Sequence, residues 1–218
     1  MSQFIPLITS TSITEQNAWL SALNEAAKNI DETQHEQIIK IVPFTELNEA
    51  QVSETEVAIV ANPDPEALRQ LPNLKWVQSL WAGVEHMVKN LDQSVSIARM
   101  TDPQLAASMA EAALAWTLYL HRDMPLYRKQ QTERHWQGYD APLPEQQTIG
   151  ILGLGLLGEN AALKLKQNQF NVLGWSRSKK TLPEFNCLSG EDGLQEILKR
   201  SNILNILLPI TDETAGLI

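Results

Sequence analysis

The sequence predicts an α/β protein of two domains, each a mostly parallel sheet with helices on both faces. Three observations carry this. Short apolar runs alternate with segments of helical periodicity through residues 1–101; a long apolar helix and the polar connection GYDAPLPEQQ interrupt them; and the alternation restarts at Thr148. A length of 218 residues suits two domains of ordinary size, placed at 1–101 and 102–218.

In the first domain, strands are expected at Phe4 to Ile8, Glu36 to Val42, Glu56 to Val60, Leu74 to Leu80 and Val95 to Met100. Between the first two, Ala18, Trp19, Ala22, Leu23, Ala26 and Ile30 recur at helical spacing. Asn62-Pro63-Asp64-Pro65 reads as a turn leading into a short helix ending near Pro72. Asp102 and Pro103 then read as N-cap and first position of a helix running to about Gln131. Its apolar residues between Leu105 and Leu120 occupy nearly every face, which predicts burial on several sides. Such a helix lies between domains, at a subunit interface or in the centre of a single domain. Trp19, Trp76 and Trp116 fall on periodic apolar faces and are expected in the core.

The second alternation runs from strand 148–152 through helix 156–168 to strand Asn171 to Trp175. Phe185 to Leu188, a helix at Glu191 to Arg200 and a buried strand at Ile203 to Leu208 follow. Within it, TIGILGLGLLG sets Gly153, Gly155 and Gly158 at G-x-G-x-x-G spacing between a strand and a helix. The first glycine permits the tight turn, the second lets a pyrophosphate reach the backbone, and the third lets helix and strand pack closely. The helix N-terminus then faces the anion.

An NAD-preferring site has an acid at the end of the next strand. Here Ser176 stands there, followed by Arg177, Ser178, Lys179 and Lys180. In isolation these read as a solvated basic turn; behind the glycine motif they favour NADP(H), with NAD(H) still possible. A second constellation, SLWAGVEHM (79–87), sits at a strand's carboxyl end, where Ala82 and Gly83 would leave N–H groups open to a carboxylate and Trp81 could wall the site. The same residues also read as a plain strand-end turn.

Bulk properties narrow the partners. A net charge of −9 disfavours nucleic acid, and no stretch approaches the ~20 apolar residues of a membrane span. Cys187 is the only cysteine, which excludes internal disulfides and multi-cysteine metal sites and fits a cytoplasmic location; no metal is expected. Cys187 itself reads as a small buried residue.

SLWAGVEHM, a helix carrying Ala110-Glu111 and then Arg122, His135-Trp136, TIGILGLGLLG, WSRS and Leu207-Leu208-Pro209 occur in an order that resembles the D-isomer-specific 2-hydroxyacid dehydrogenases, most of all their glyoxylate/hydroxypyruvate reductase branch. The resemblance implies a flavodoxin-like substrate domain, a Rossmann cofactor domain and a homodimer through the helix 103–131. It implies a small 2-oxo acid substrate, its carboxylate held by the amides of Ala82, Gly83 and Val84 beside Trp81. For the cofactor it implies Leu156 and Leu157 near the pyrophosphate and Ser176, Arg177 and Ser178 at the 2'-phosphate. Leu208 and Pro209 fall on the ribose and nicotinamide side.

The resemblance further implies that the family's catalytic arginine, glutamate and histidine lie beyond the segment matching Ile218, so no catalytic residue is assigned. The Rossmann domain is expected to be incomplete and the 218-residue chain inactive. Among the histidines, His86 reads as exposed or capping, His135 as structural, and His35 and His121 belong to no constellation. Arg99 and Arg122 are candidate substrate-side cations, Arg122 more readily a packing anchor. Two functions fit: an NADPH-dependent reductase of glyoxylate or hydroxypyruvate, and a non-catalytic NADP(H)-binding sensor or interaction protein on the same scaffold.

Overall fold

A computed structural model describes residues 2–34 and 38–218; His35 falls outside the described residues. The chain divides into two compact units, Met1–Thr101 and Asp102–Ile218.

The first unit alternates strands and helices: β1 (Ser2–Thr9), α1 (Ile13–Gln34), β2 (Ile38–Pro43), α2 (Glu49–Glu54), β3 (Val57–Ala61), α3 (Pro65–Arg69), β4 (Trp76–Ser79), α4 (Glu85–Asn90) and β5 (Ser96–Ala98). The strands are parallel in the order β2-β1-β3-β4-β5, the flavodoxin-like arrangement. Both faces are covered, as successive residues show. Ile8 and Val60 pack with Leu68, Leu71, Val77 and Met87, while their neighbours Leu7 and Ala61 pack on the other side with Ala27 and Ile41. Asn24 fastens α1 to β2, its side-chain amide donating to the Ile41 carbonyl at 2.8 Å and its oxygen accepting from the Ile41 N–H at 3.0 Å. Pro65 opens α3 as expected, and Asp64 caps it by accepting from the Glu66 N–H. Trp19 packs against the core as expected; Trp76, at the start of β4, is 50% exposed and does not.

The second unit comprises α5 (Pro103–His121), α6 (Met124–Glu133), β6 (Thr148–Leu152), α7 (Leu156–Gln167), β7 (Asn171–Ser176), β8 (Asn186–Ser189), α8 (Gly190–Arg200) and β9 (Ile203–Ile206). Its parallel order, β8-β7-β6-β9, is the Rossmann sequence 3-2-1-4. Ile151 and Leu152 again serve opposite faces, one with Ala162, Leu165 and Phe170, the other with Trp175, Leu194 and Ile197.

The single helix expected over 103–131 is two helices. Asp102 caps it as predicted, but Asp123 takes φ 52°, and a continuous helix through Pro125 would lack that residue's N–H bond and drive its ring into the preceding turn. Burial also differs. One stripe of α5 is buried (Ala106, Ala110, Ala113, Thr117 and His121), and its alanines let the helix settle on Ala161 of α7. Trp116, expected in the core, is 65% exposed, and Leu118 and Leu120 are exposed with it. Arg122 is exposed at the end of α5 rather than anchoring packing. The strand expected to be buried to Leu208 ends at Ile206, half-exposed.

Gly174 in β7 is a tight point of the second core. A Cβ there would stand 2.6 Å from a methyl of Leu154, which is itself 1% exposed and cannot swing away. Gly174→Ala is therefore expected to destabilise the second unit by about 1–3 kcal/mol, read as a lower urea midpoint followed by circular dichroism.

Candidate functional site: a dinucleotide cradle and a carboxylate loop

Strand β6 runs into the glycine turn, and three glycines there meet three different constraints. Gly153 has φ 98°, a left-handed conformation, and a Cβ on it would stand 2.8 Å from the Leu207 carbonyl oxygen. Gly158, in the first turn of α7, lies so close to Gly153 that a Cβ would overlap its carbonyl oxygen. At Gly155, the N-cap of α7, nothing stands within 4 Å of the Cβ position. The middle glycine thus leaves open space at the positive end of a twelve-residue helix with no side-chain cap. Leu156 is exposed and Leu157 half-buried beside it.

The strands place this opening at the switch point of the sheet: from β6 the chain crosses to β7 on one side, and from β8 it returns to β9 on the other side of β6. Gly153 donates to the Trp175 carbonyl at 2.9 Å and Leu207 to the Leu152 carbonyl at 2.8 Å, tying the turn to the carboxyl ends of both neighbours. Leu208 and Pro209 follow β9 and line a cavity of about 200 Å³ with Thr214 and Leu217.

At the end of β7, Ser176 is buried and its hydroxyl donates to the Ser178 carbonyl at 2.7 Å. It shapes the turn that carries Arg177 outward, and Arg177 and Ser178 are exposed. The Arg177 guanidinium is paired with the Glu213 carboxylate. Lys180 donates to the carbonyl of Leu154 in the glycine turn itself, a contact that sequence spacing could not reveal because 26 residues separate the partners.

In the first unit, the loop after β4 lines a cavity of about 550 Å³ at the carboxyl ends of β1, β3 and β4, with Ser10, Asn62, Trp81, Gly83 and Val84 on its walls. This is the β1/β3 switch point of a 2-1-3-4-5 sheet. Ser79 is buried; its hydroxyl accepts from the Trp81 N–H and donates to the Trp81 carbonyl, both at 3.1 Å, which turns the chain sharply. The N–H groups of Ala82, Gly83 and Val84 meet no acceptor among the described residues. Charge around them is mixed: Arg99 donates to the Ala82 carbonyl at 3.1 Å, while the Glu85 carboxylate lies beside Gly83. His86 lines the same cavity, its Nδ1 3.2 Å from the Asn90 side-chain amide.

The other histidines lie elsewhere. His121 is buried in α5 edge-on to Phe170, and His135 borders an aromatic-lined cavity with Tyr119, Tyr127 and Trp136. Among the described residues no group of three or more His, Cys, Asp or Glu side chains could hold a metal.

Comparison with known proteins bears on both sites. Residues 114–218 match the model of the D-isomer specific 2-hydroxyacid dehydrogenase, NAD binding domain. The chain is similar to a solved D-isomer specific 2-hydroxyacid dehydrogenase from Xanthobacter autotrophicus in complex with NADPH, at 29% identity and a TM-score of 0.76 over 96% of this chain and 65% of that one. It is similar to an NADPH-dependent glyoxylate/hydroxypyruvate reductase from Sinorhizobium meliloti, solved with NADP and sulfate, at 26% identity and a TM-score of 0.78 over 97% and 64% of the two chains. A probable 2-hydroxyacid dehydrogenase from Rhizobium etli, solved with NADP, HEPES and L(+)-tartaric acid, gives 30% identity and a TM-score of 0.78 over the same shares. This chain thus spans just under two thirds of the length of these structures.

The glycine geometry separates folding from binding. Gly158→Ala should lower the urea midpoint sharply, because a backbone carbonyl cannot give way. Gly155→Ala should cost about 1 kcal/mol or less, the ordinary N-cap difference. Equal losses at the two positions would contradict the geometry.

Proposed function

We propose that this chain, a member of the D-isomer-specific 2-hydroxyacid dehydrogenase family, binds NADP(H) in preference to NAD(H) and belongs to a reductase of small 2-oxo acids such as glyoxylate or hydroxypyruvate. In this reading residues 1–101 are the substrate domain and 102–218 the cofactor domain.

The observation that carries the proposal is the open space at Gly155 together with the cations beyond β7. Gly155, Leu156, Leu157 and Gly158 offer the pyrophosphate backbone N–H groups at the helix terminus, and Gly153, whose own N–H is committed to the Trp175 carbonyl, sets the turn that leads into them. Arg177 supplies a charge-assisted contact to the 2'-phosphate, and Ser178 a hydroxyl. Ser176 acts chiefly by holding the turn, since its proton is committed to the Ser178 carbonyl. Leu208 and Pro209 wall the ribose and nicotinamide side. When bound, the nicotinamide supplies the hydride that reduces a 2-oxo acid.

In the other unit, the amides of Ala82, Gly83 and Val84, which meet no acceptor among the described residues, receive the substrate carboxylate and Trp81 closes the wall. Arg99 offsets the Glu85 charge, which would otherwise repel an anion. His86 faces the Asn90 side-chain amide rather than a carboxylate that would orient it for proton delivery. The 218-residue chain is accordingly read as binding cofactor without turning over substrate. The exposed Trp116, Leu118 and Leu120 of α5 and Met124 and Leu126 of α6 support a homodimer through this helical region. No described helix is long and apolar enough to cross a membrane, and a cytoplasmic location completes the proposal.

Arg177→Ala should weaken NADPH binding by about 1.5–3 kcal/mol and NADH far less, measured by fluorescence titration. Equal losses for both nucleotides would reject Arg177 as the phosphate reader. With glyoxylate, the purified 218-residue chain should oxidise no NADPH while still binding it; steady absorbance loss at the nicotinamide band would refute the assignment of no catalytic residue.

A further inference from the structure

We propose that Glu213 is a specificity-determining residue: its carboxylate counter-charges Arg177 and so sets how strongly the site prefers a 2'-phosphate over a free ribose 2'-hydroxyl. The inference rests on the reading that Arg177 receives that phosphate.

Arg177 follows β7, and Glu213 follows β9, the strands on either side of β6. Their ion pair therefore joins the two segments that flank the glycine turn. Glu213 is held there by a defined turn. Thr214 Oγ1 donates to the Pro209 carbonyl, the Thr211 N–H donates to Thr214 Oγ1 at 2.8 Å, and the Ala215 N–H donates to the Thr211 carbonyl at 2.9 Å. The nearby cation Lys180 is engaged with the Leu154 carbonyl, so Glu213 acts on Arg177 in particular.

The side chains of Arg177 and Glu213 are 79% and 70% exposed, so the pair is solvated, weak and exchangeable. A phosphate monoester carrying about −1.5 to −2 charge and three acceptor oxygens displaces a single carboxylate from a guanidinium. A ribose hydroxyl does not. Binding NADPH thus exchanges one anion for another at Arg177, while binding NADH leaves the pair intact. The carboxylate that remains beside the phosphate also repels it. Removing the Glu213 charge should relieve both costs for NADPH alone.

The experiment measures dissociation constants of NADPH, NADH, 2'-AMP and 5'-AMP for the 218-residue chain and its Glu213→Gln, Glu213→Lys, Arg177→Ala and Arg177→Ala/Glu213→Gln variants, with Glu196→Gln on α8 as a net-charge control. Glu213→Gln should tighten NADPH and 2'-AMP about two- to five-fold, leave NADH and 5'-AMP unchanged, and lose its advantage at high salt. Glu213→Lys should enlarge the gain, Glu196→Gln should give none, and the Arg177→Ala background should abolish it. If Arg177→Ala selectively weakens NADPH but Glu213→Gln and Glu213→Lys leave it unchanged or weaker, the role of Glu213 is rejected while the cofactor reading stands. If Arg177→Ala weakens both nucleotides alike, both fall.

Discussion

Helix α7 can rest against the turn that launches it only because residue 158 has no side chain; any Cβ there would overlap the carbonyl oxygen of Gly153. That contact sets the height of the helix N-terminus above the strand and so the position of the gap at Gly155. The left-handed Gly153 feeds the chain into it, and the bonds from Gly153 to Trp175 and from Leu207 to Leu152 tie the turn to β7 and β9. Leu154, wedged against Gly174, carries the constraint into the core, and its carbonyl meets Lys180. Packing and the open helix terminus thus depend on the same few atoms.

The loop after β4 solves a related problem by another route. Its α4 has six residues, too short to offer much of a dipole, so the local device is a sharp turn held by the Ser79 hydroxyl. The turn leaves three successive N–H groups without acceptors among the described residues, and a mixed pair of charges, Arg99 and Glu85, stands around them. Such a loop can take an anion at modest cost without being a strong basic trap.

Local chemistry explains where sequence reading succeeded. Pro65 and the pair Asp102-Pro103 mark helix starts because a fixed φ, and at Asp102 a cap, act within one turn. The parallel strands were legible because their apolar runs are buried on both faces. Periodicity alone is insufficient over 103–131, where apolar residues on all sides of α5 reflect exposed Trp116 and Leu120 as much as a core, and where Pro125 is incompatible with a continuous helix. Trp76 failed similarly: an aromatic on a periodic face says which side it points to, not whether anything covers it.

By itself the sequence determined the alternation of strands and helices, the place of the glycine turn, the absence of an acid at the end of β7 and the resemblance to a dehydrogenase family. These depend on residue type and short spacing. Only the tertiary structure decided the strand orders, the open space at Gly155 as against the closed contact at Gly158, and the partners of the cations. Lys180 meets Leu154 and Arg177 meets Glu213 across intervening elements, and bonds between residues so far apart in the chain are set by how the sheet is wound.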